Sequence, residues 1–258
     1  MSTAILDTPV RLAPGANKRP GLAPLVRVEL RKMVDTRAGF WLHAAIGVLT
    51  LAVVVVRSLL GDASDHTFGS ILNVALGPAA VLLPIAGVLL VTSEWSQRTG
   101  MITFALVPVR ARVIGAKLLA SIVLGAAAFA AIVAIAAAGA LVTSVDGTWT
   151  HFVPLIFQSS IFLIGGVLIG VAFGMAVLSS APAVVALFTL PTAWAALASL
   201  NVFAGVAPWL DTNRSLSPLS KELLSGTQWA HVATSLAVWL LIPLLIGAWR
   251  ITRREVAS

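Results

Sequence analysis

The chain has 258 residues, of which 59% are hydrophobic and only 10% charged, and its mean hydropathy is +0.98. Since a soluble domain usually carries about 25% charged residues, this composition excludes an ordinary soluble protein and predicts one that crosses a membrane several times. The net charge is +7, but the basic residues flank apolar segments, which indicates membrane orientation and anionic lipid contacts rather than nucleic-acid binding.

The first part of the chain is predicted to lie outside the membrane. Residues 1–24 contain four prolines and three basic residues but no apolar core, so we predict a disordered tail without a cleavable signal sequence. Residues 25–37 place Leu30 and Met33 on one side at helical spacing, with Glu29 and basic residues on the others. This pattern is typical of a helix lying in a membrane interface, as a lipid anchor or in contact with a partner protein.

Six apolar segments are long enough to cross a membrane as helices, which need about 20 residues each. The spans are predicted at about residues 38–60, 71–93, 114–142, 153–178, 183–204 and 231–249. Residues 25–254 are therefore expected to form a single all-α transmembrane domain, followed by a short tail at 255–258.

The fourth predicted span carries three glycines four residues apart, Gly166, Gly170 and Gly174. Glycines at this spacing lie on one face of a helix and allow another backbone to approach closely. We therefore expect a helix-packing face here, made either with another span of the same chain or with a second copy.

Polar side chains are scattered through the second and fifth predicted spans, where they could line a substrate pathway. The pathway-lining candidates are Asn73, Thr189, Thr192, Ser199 and Asn201.

The connection after the fifth span contains signals for one more short helix. Ser217 is expected to cap it, Pro218 to begin it and Gly226 to follow its end. A helix of this length cannot cross a membrane, so it is predicted to be re-entrant or interfacial.

The basic residues are distributed unevenly between the two sides of the predicted bundle. Fourteen of the 17 lysines and arginines lie on the side of the two termini, and three lie on the other side. Because cytoplasmic loops of membrane proteins are enriched in basic residues, both termini are expected in the cytoplasm and the protein in the plasma (inner) membrane. The short extra helix at Pro218 is then on the outer side.

The stretch from Glu94 to Lys117 joins the second and third spans and differs from a plain solvated loop. Trp95 suits a membrane interface, and Gly100 permits a turn. An apolar patch follows and stops at Pro108, before several basic residues. This pattern predicts a short amphipathic helix at the membrane surface, with one side free for a partner.

This stretch resembles the cytoplasmic coupling loop of type-2 ATP-binding-cassette (ABC) exporter permeases. The matching positions are Glu94, Thr99, Gly100, Phe104, Leu106, Pro108, Arg110 and Lys117. The resemblance extends over roughly residues 25–254, because the family also has six spans. An ordinary basic cytoplasmic loop is the alternative interpretation.

The resemblance implies how such a chain would work. It implies an N-terminal interfacial helix that touches an ATPase subunit, a coupling helix within 94–112, and short re-entrant helices on the outer side. It also implies a second permease copy or a homologue and two separate ABC ATPase subunits, which hold ATP and Mg, with no cofactor in this chain. The implied ATPase contacts are Glu94, Gln97, Arg98, Thr99, Gly100, Phe104, Arg110 and Arg112.

The sequence lacks the motifs of several enzyme classes. It has no phosphate-binding loop, no His-Glu-x-x-His and no Gly-x-Ser-x-Gly, and it has no cysteine. Together with these absences, the resemblance implies a non-hydrolysing transport subunit without a metal, which exports a drug, antibiotic, lipid or peptide. The alternative is a secondary transporter or channel without an ATPase partner. That class is weakened because no carboxylate falls inside a predicted span.

Overall fold

The computed structural model describes residues 21–96, 109–143, 145 and 147–253. Within these ranges the chain is helical and contains no strand. Six of its helices are long and apolar enough to cross a membrane, which confirms the prediction of an all-α, multi-pass membrane protein. Residues 97–108, which make up most of the segment of the predicted coupling helix, lie outside the described residues, as do residues 1–20 and 254–258. Residues 22–24, which were predicted to belong to a disordered tail, are helical instead.

Seven helices make up most of the described structure. They are α1 (Leu22–Val34), α2 (Arg37–Leu60), α3 (Phe68–Ser96), α4 (Arg110–Thr143), α5 (Phe152–Val177), α6 (Ser180–Ala198) and α7 (Gly226–Arg253). The last of these contains one π turn, Ala237–Leu241. The helix α1 precedes the six spans, as predicted, and begins and ends three residues earlier than expected.

Helices α3 and α5 form the centre of the bundle and make its most extensive contact. They are the most buried spans, at 56% and 50%, whereas α6 and α7 are the least buried, at 17% each. Helix α3 continues through two internal prolines, Pro78 and Pro84. Membrane-spanning helices tolerate proline where neighbouring groups satisfy the backbone carbonyls that it leaves unpaired.

The glycines of α5 lie where this central contact is closest. A Cβ at Gly170 would be 2.0 Å from the carbonyl oxygen of Pro84, and one at Gly174 would be 3.0 Å from that of Val88. On α3, a Cβ at Gly87 would be 2.5 Å from the carbonyl oxygen of Val167. At Gly166 a methyl group would find ordinary van der Waals room. The partner of this face is therefore a helix of the same chain.

The connection between α6 and α7 differs from the prediction. It is a series of short helical turns, Asn201–Phe203, Ala207–Leu210, Thr212–Ser215 and Ser217–Ser220. The helix predicted to begin at Pro218 and to end before Gly226 is wrong, because only one 3-10 turn forms and Leu216, not Ser217, is its N-cap residue.

The reason lies in tertiary contacts and in the capping of α7. Leu219 of the 3-10 turn is completely buried, and Ser220 bonds Asn73 of α3. The next helix then begins at Gly226, because Ser225 and Gln228 form a capping box there. The glycine expected to end a helix therefore begins one, and the sixth span starts five residues before the predicted boundary.

Candidate functional site

The first helix folds against the ends of α3 and α4 and places four charged side chains together. These are Glu29 and Lys32 of α1, Glu94 of α3 and Lys117 of α4, which we call the charge quartet. They lie at the end of the bundle where α1 and both boundaries of the 97–108 connection are found.

Each lysine of the charge quartet contacts both carboxylates. The Nζ atom of Lys32 is 2.8 Å from Glu29 and 2.5 Å from Glu94. The Nζ atom of Lys117 is 2.7 Å from Glu29 and 3.1 Å from Glu94, and it also donates to the carbonyl oxygen of Leu90 at 3.2 Å. The two positive and two negative charges cancel, which is what allows such groups to leave water.

Three members of the charge quartet are almost fully enclosed. Glu29, Glu94 and Lys117 are 4–5% exposed, whereas a third of the Lys32 side chain remains accessible. Burial of Lys32 disfavours its charged form, but hydrogen bonds and charge attraction from Glu29 and Glu94 outweigh it. The pKa of Lys32 is consequently raised above its ordinary value.

The placement of Glu29 corrects the sequence analysis, which assigned this residue to the polar side of the first helix. The face of α1 that packs inward consists of Val26, Glu29, Leu30 and Met33. These positions follow the spacing i, i+3, i+4, i+7, so the helical pattern itself contained the signal. Hydrophobicity alone does not place Glu29 on the inward face of α1. Its burial depends on partners on α3 and α4 that are distant in sequence.

A second buried carboxylate lies at the end of α3. Glu94 lies inside α3, and its carboxylate is buried between the two lysines. The resemblance implies that this residue contacts an ATPase. With its side chain enclosed within the chain, its contribution to any partner surface would be through the position of α3, not through its own carboxylate.

Other contacts fix the same end of the bundle. The Arg110 guanidinium, at the start of α4, donates to the carbonyl oxygen of Ile251 in α7 at 2.5 Å. Arg250 of α7 donates to the carbonyl oxygen of Ala176 in α5. Arg112 is half-buried in the first turn of α4. These contacts link α4, α5 and α7, and the charge quartet adds α3, so polar contacts join four of the six spans at this end.

The remaining predicted ATPase contacts fall on that connection. Gln97, Arg98, Thr99, Gly100 and Phe104 lie outside the described residues.

A small cavity of about 230 Å³ adjoins the charge quartet. Lys32, Met33 and Leu42 line one part of it, and Ala86 and Leu90 of α3 line another. Its walls are mostly apolar, and it separates part of α1 and α2 from α3.

The pathway-lining candidates are not brought together. Asn73 donates to Ser220 at 3.0 Å, whereas Thr189, Thr192 and Ser199 are exposed and donate to carbonyl groups of α6 itself. Asn201 is also exposed and lies beyond the end of α6. A hydroxyl on a helix satisfies itself by bonding the preceding turn, so its polarity does not require a pathway.

No protein-family model matches the chain, and no curated protein is significantly similar to it. Among the described residues, no three His, Asp or Glu side chains are grouped so that they could hold a metal ion.

Proposed function

We propose that this chain is the membrane-spanning, non-hydrolysing subunit of an ATP-driven ABC exporter in the plasma (inner) membrane. It would assemble with a second copy or a homologous permease and with two ABC ATPase subunits that bind ATP and Mg. The observation that best supports the proposal is the charge quartet, because it joins α1 to both helices that flank the proposed ATPase-docking segment 94–112.

The charge quartet offers a route for transmitting movement. Glu94 lies in the last turn of α3, and Lys117 lies about two turns into α4. An ATPase that displaced the connection between them would move α3, α4 and α1 together, because three ion pairs connect the three helices. A switch of this kind requires elements that move as units between two arrangements.

The distribution of charge favours this class over an ion-coupled transporter. No Asp, Glu, Lys or Arg lies in the middle third of any of the six spans, all of which are described. Proton- and sodium-coupled transporters commonly need ionisable groups at that depth. The apolar spans suit an amphiphilic substrate such as a drug, antibiotic, lipid or peptide.

The end of the bundle with the charge quartet is proposed to face the cytoplasm, together with both termini, on the basis of the basic residues. Because the chain contains no cysteine, single-cysteine labelling tests this directly. Asp35→Cys and Asp62→Cys form a matched pair of exposed positions at opposite ends. Labelling of Asp35→Cys from outside intact cells would reverse the proposed orientation.

The docking segment is tested by purification of the full chain from its native membrane in mild detergent. We expect an ABC ATPase to copurify with the wild-type chain and to be lost from Phe104→Ala, which removes an aromatic anchor worth roughly 2 kcal/mol at an interface. Gly100→Val should act in the same direction if that residue needs a positive φ angle. Both variants should still insert, because no span is altered.

Phe40→Ala is the matched control, since Phe40 is 59% exposed at the same end of the bundle. It should leave ATPase copurification unchanged. The proposal fails if no ABC ATPase accompanies the wild-type chain and if vesicles containing only this protein show flux driven by a proton or sodium gradient. That result would indicate a secondary transporter.

A further inference from the structure

A cavity of about 570 Å³ lies at the end of the bundle opposite the charge quartet. It lies where α3 and α5 begin and where the turns before α7 pack against them. Its polar lining consists of Thr67, Ser70, Asn73, Thr150, His151 and Lys221. Pockets of roughly 300–1,000 Å³ usually hold small molecules, so this one has room for more than a single ion.

The charge of Lys221 in this cavity is not neutralised by the described part of the chain. Lys221 is exposed, and no carboxylate among the described residues lies within salt-bridge distance of it. Two carboxylates close by in sequence have other partners, since Asp65 pairs with Arg57 at 2.5 Å and Glu222 accepts from Gln228 at 3.0 Å. Asp146 lies outside the described residues.

The neutral groups of the lining complement the charge of Lys221 as hydrogen-bond donors. The Ser70 hydroxyl oxygen accepts from Arg57 at 2.9 Å, and the Thr67 hydroxyl oxygen accepts from the Ser70 backbone at 3.3 Å. Since each oxygen already accepts a bond, the protons of both hydroxyls can be donated into the cavity. The lining thus offers several donors to a ligand.

The backbone also contributes positive potential near the cavity. His151 precedes α5 with φ of 60° and ψ of 23°, a left-handed conformation that is uncommon outside glycine. Thr67 and Ser70 lie at the start of α3. The positive ends of two helix dipoles therefore lie beside the cavity, and they reinforce the effect of Lys221.

We propose that this cavity binds a phosphate group carried by a molecule larger than the group itself. The molecule could be a phospholipid whose headgroup enters the cavity or a soluble phosphorylated compound. The proposal does not depend on coupling to an ATPase, because every residue that carries it is at the opposite end of the bundle.

The experiment uses the full chain in nanodiscs of neutral phosphatidylcholine, with binding measured by isothermal titration calorimetry. The probes are inorganic phosphate, glycerol 3-phosphate and the short-chain lipid dihexanoyl phosphatidic acid. We expect at least one to bind, and Lys221→Gln to weaken its affinity about tenfold, the effect of losing one charge-assisted hydrogen bond. His151→Asn should also weaken binding, and asparagine tolerates the left-handed backbone that this position requires.

Arg214→Gln is the control, because it removes one positive charge from the same end without touching the cavity. Its affinity should stay within about twofold of the wild type, since screening weakens distant charges. Binding of the soluble probes would indicate a soluble anion, and binding of the lipid alone would indicate a headgroup. The proposal is overturned if none of the probes binds, or if Arg214→Gln weakens binding as much as Lys221→Gln does.

Discussion

At the end of the bundle where α1 lies, two lysines and two carboxylates are enclosed together at distances of 2.5 to 3.1 Å. At the other end, Lys221 and His151 face an open cavity with no described carboxylate paired to them. Both ends are polar, but the first encloses most of its charges between helices, whereas Lys221 at the second is exposed and is paired with no described carboxylate. The comparison teaches that the number of charged residues at a membrane interface does not reveal their role, since pairing and burial decide it.

The largest effect is expected from breaking the charge quartet. Lys117→Met leaves Glu29 and Glu94 with only Lys32 to balance them, and removal of one partner from a buried ion pair costs about 3–5 kcal/mol. The free energy of unfolding in mixed micelles measures this loss. Lys221→Met removes the same charge from the exposed end and should change stability by less than about 0.5 kcal/mol.

A double variant distinguishes charge balance from simple loss of contacts. Lys117→Met combined with Glu29→Leu leaves Lys32 paired with Glu94, so the remaining charges cancel. We expect it to recover about 1–3 kcal/mol relative to Lys117→Met alone. A double variant less stable than the single one would mean that packing, rather than uncompensated charge, dominates this end.

The next largest effect is expected at the contact between α3 and α5, in the centre of the bundle. At Gly170 an added methyl group would meet the Pro84 carbonyl oxygen at 2.0 Å, so Gly170→Ala should separate α3 from α5 at a cost of about 1–3 kcal/mol. Gly166→Ala is the control in the same motif, because its methyl group would have ordinary room. Equal unfolding free energies for the two variants would contradict the close approach of these helices.

The smallest effect is expected to be a dependence of stability on pH, which arises from Lys32 in the charge quartet. Because the pKa of Lys32 is raised, the protonated side chain is more stable in the folded than in the unfolded chain. Its contribution is complete below the ordinary value of 10.5 and is lost as pH rises past that value through the folded pKa.

This prediction is checked by measuring unfolding from about pH 9 to about pH 12 for the wild type and for Lys32→Met. The difference in stability between the two should shrink as pH rises. A constant difference across that range would show that Lys32 contributes through packing of its alkyl chain and not through its charge.

The sequence by itself determined the class of the protein and the number of its spans. Apolar segments of sufficient length must form helices in a membrane, because no water is available to satisfy their backbone groups. This constraint is local, so five of the six spans start within four residues of the predicted positions. The glycine spacing on the fourth span likewise marked a close helix contact, although only the structure identified α3 as the partner.

The tertiary structure decided what the polar residues do. Glu29 looked like a solvated side chain of a surface helix until Lys117, 88 residues away, was placed beside it. The helix expected at Pro218 depended on the packing of Leu219 and on the capping of the next helix. Hydrophobic length is read along one segment, whereas the partner of a charge or a hydroxyl is supplied by another segment, and only the folded arrangement brings the two within bonding distance.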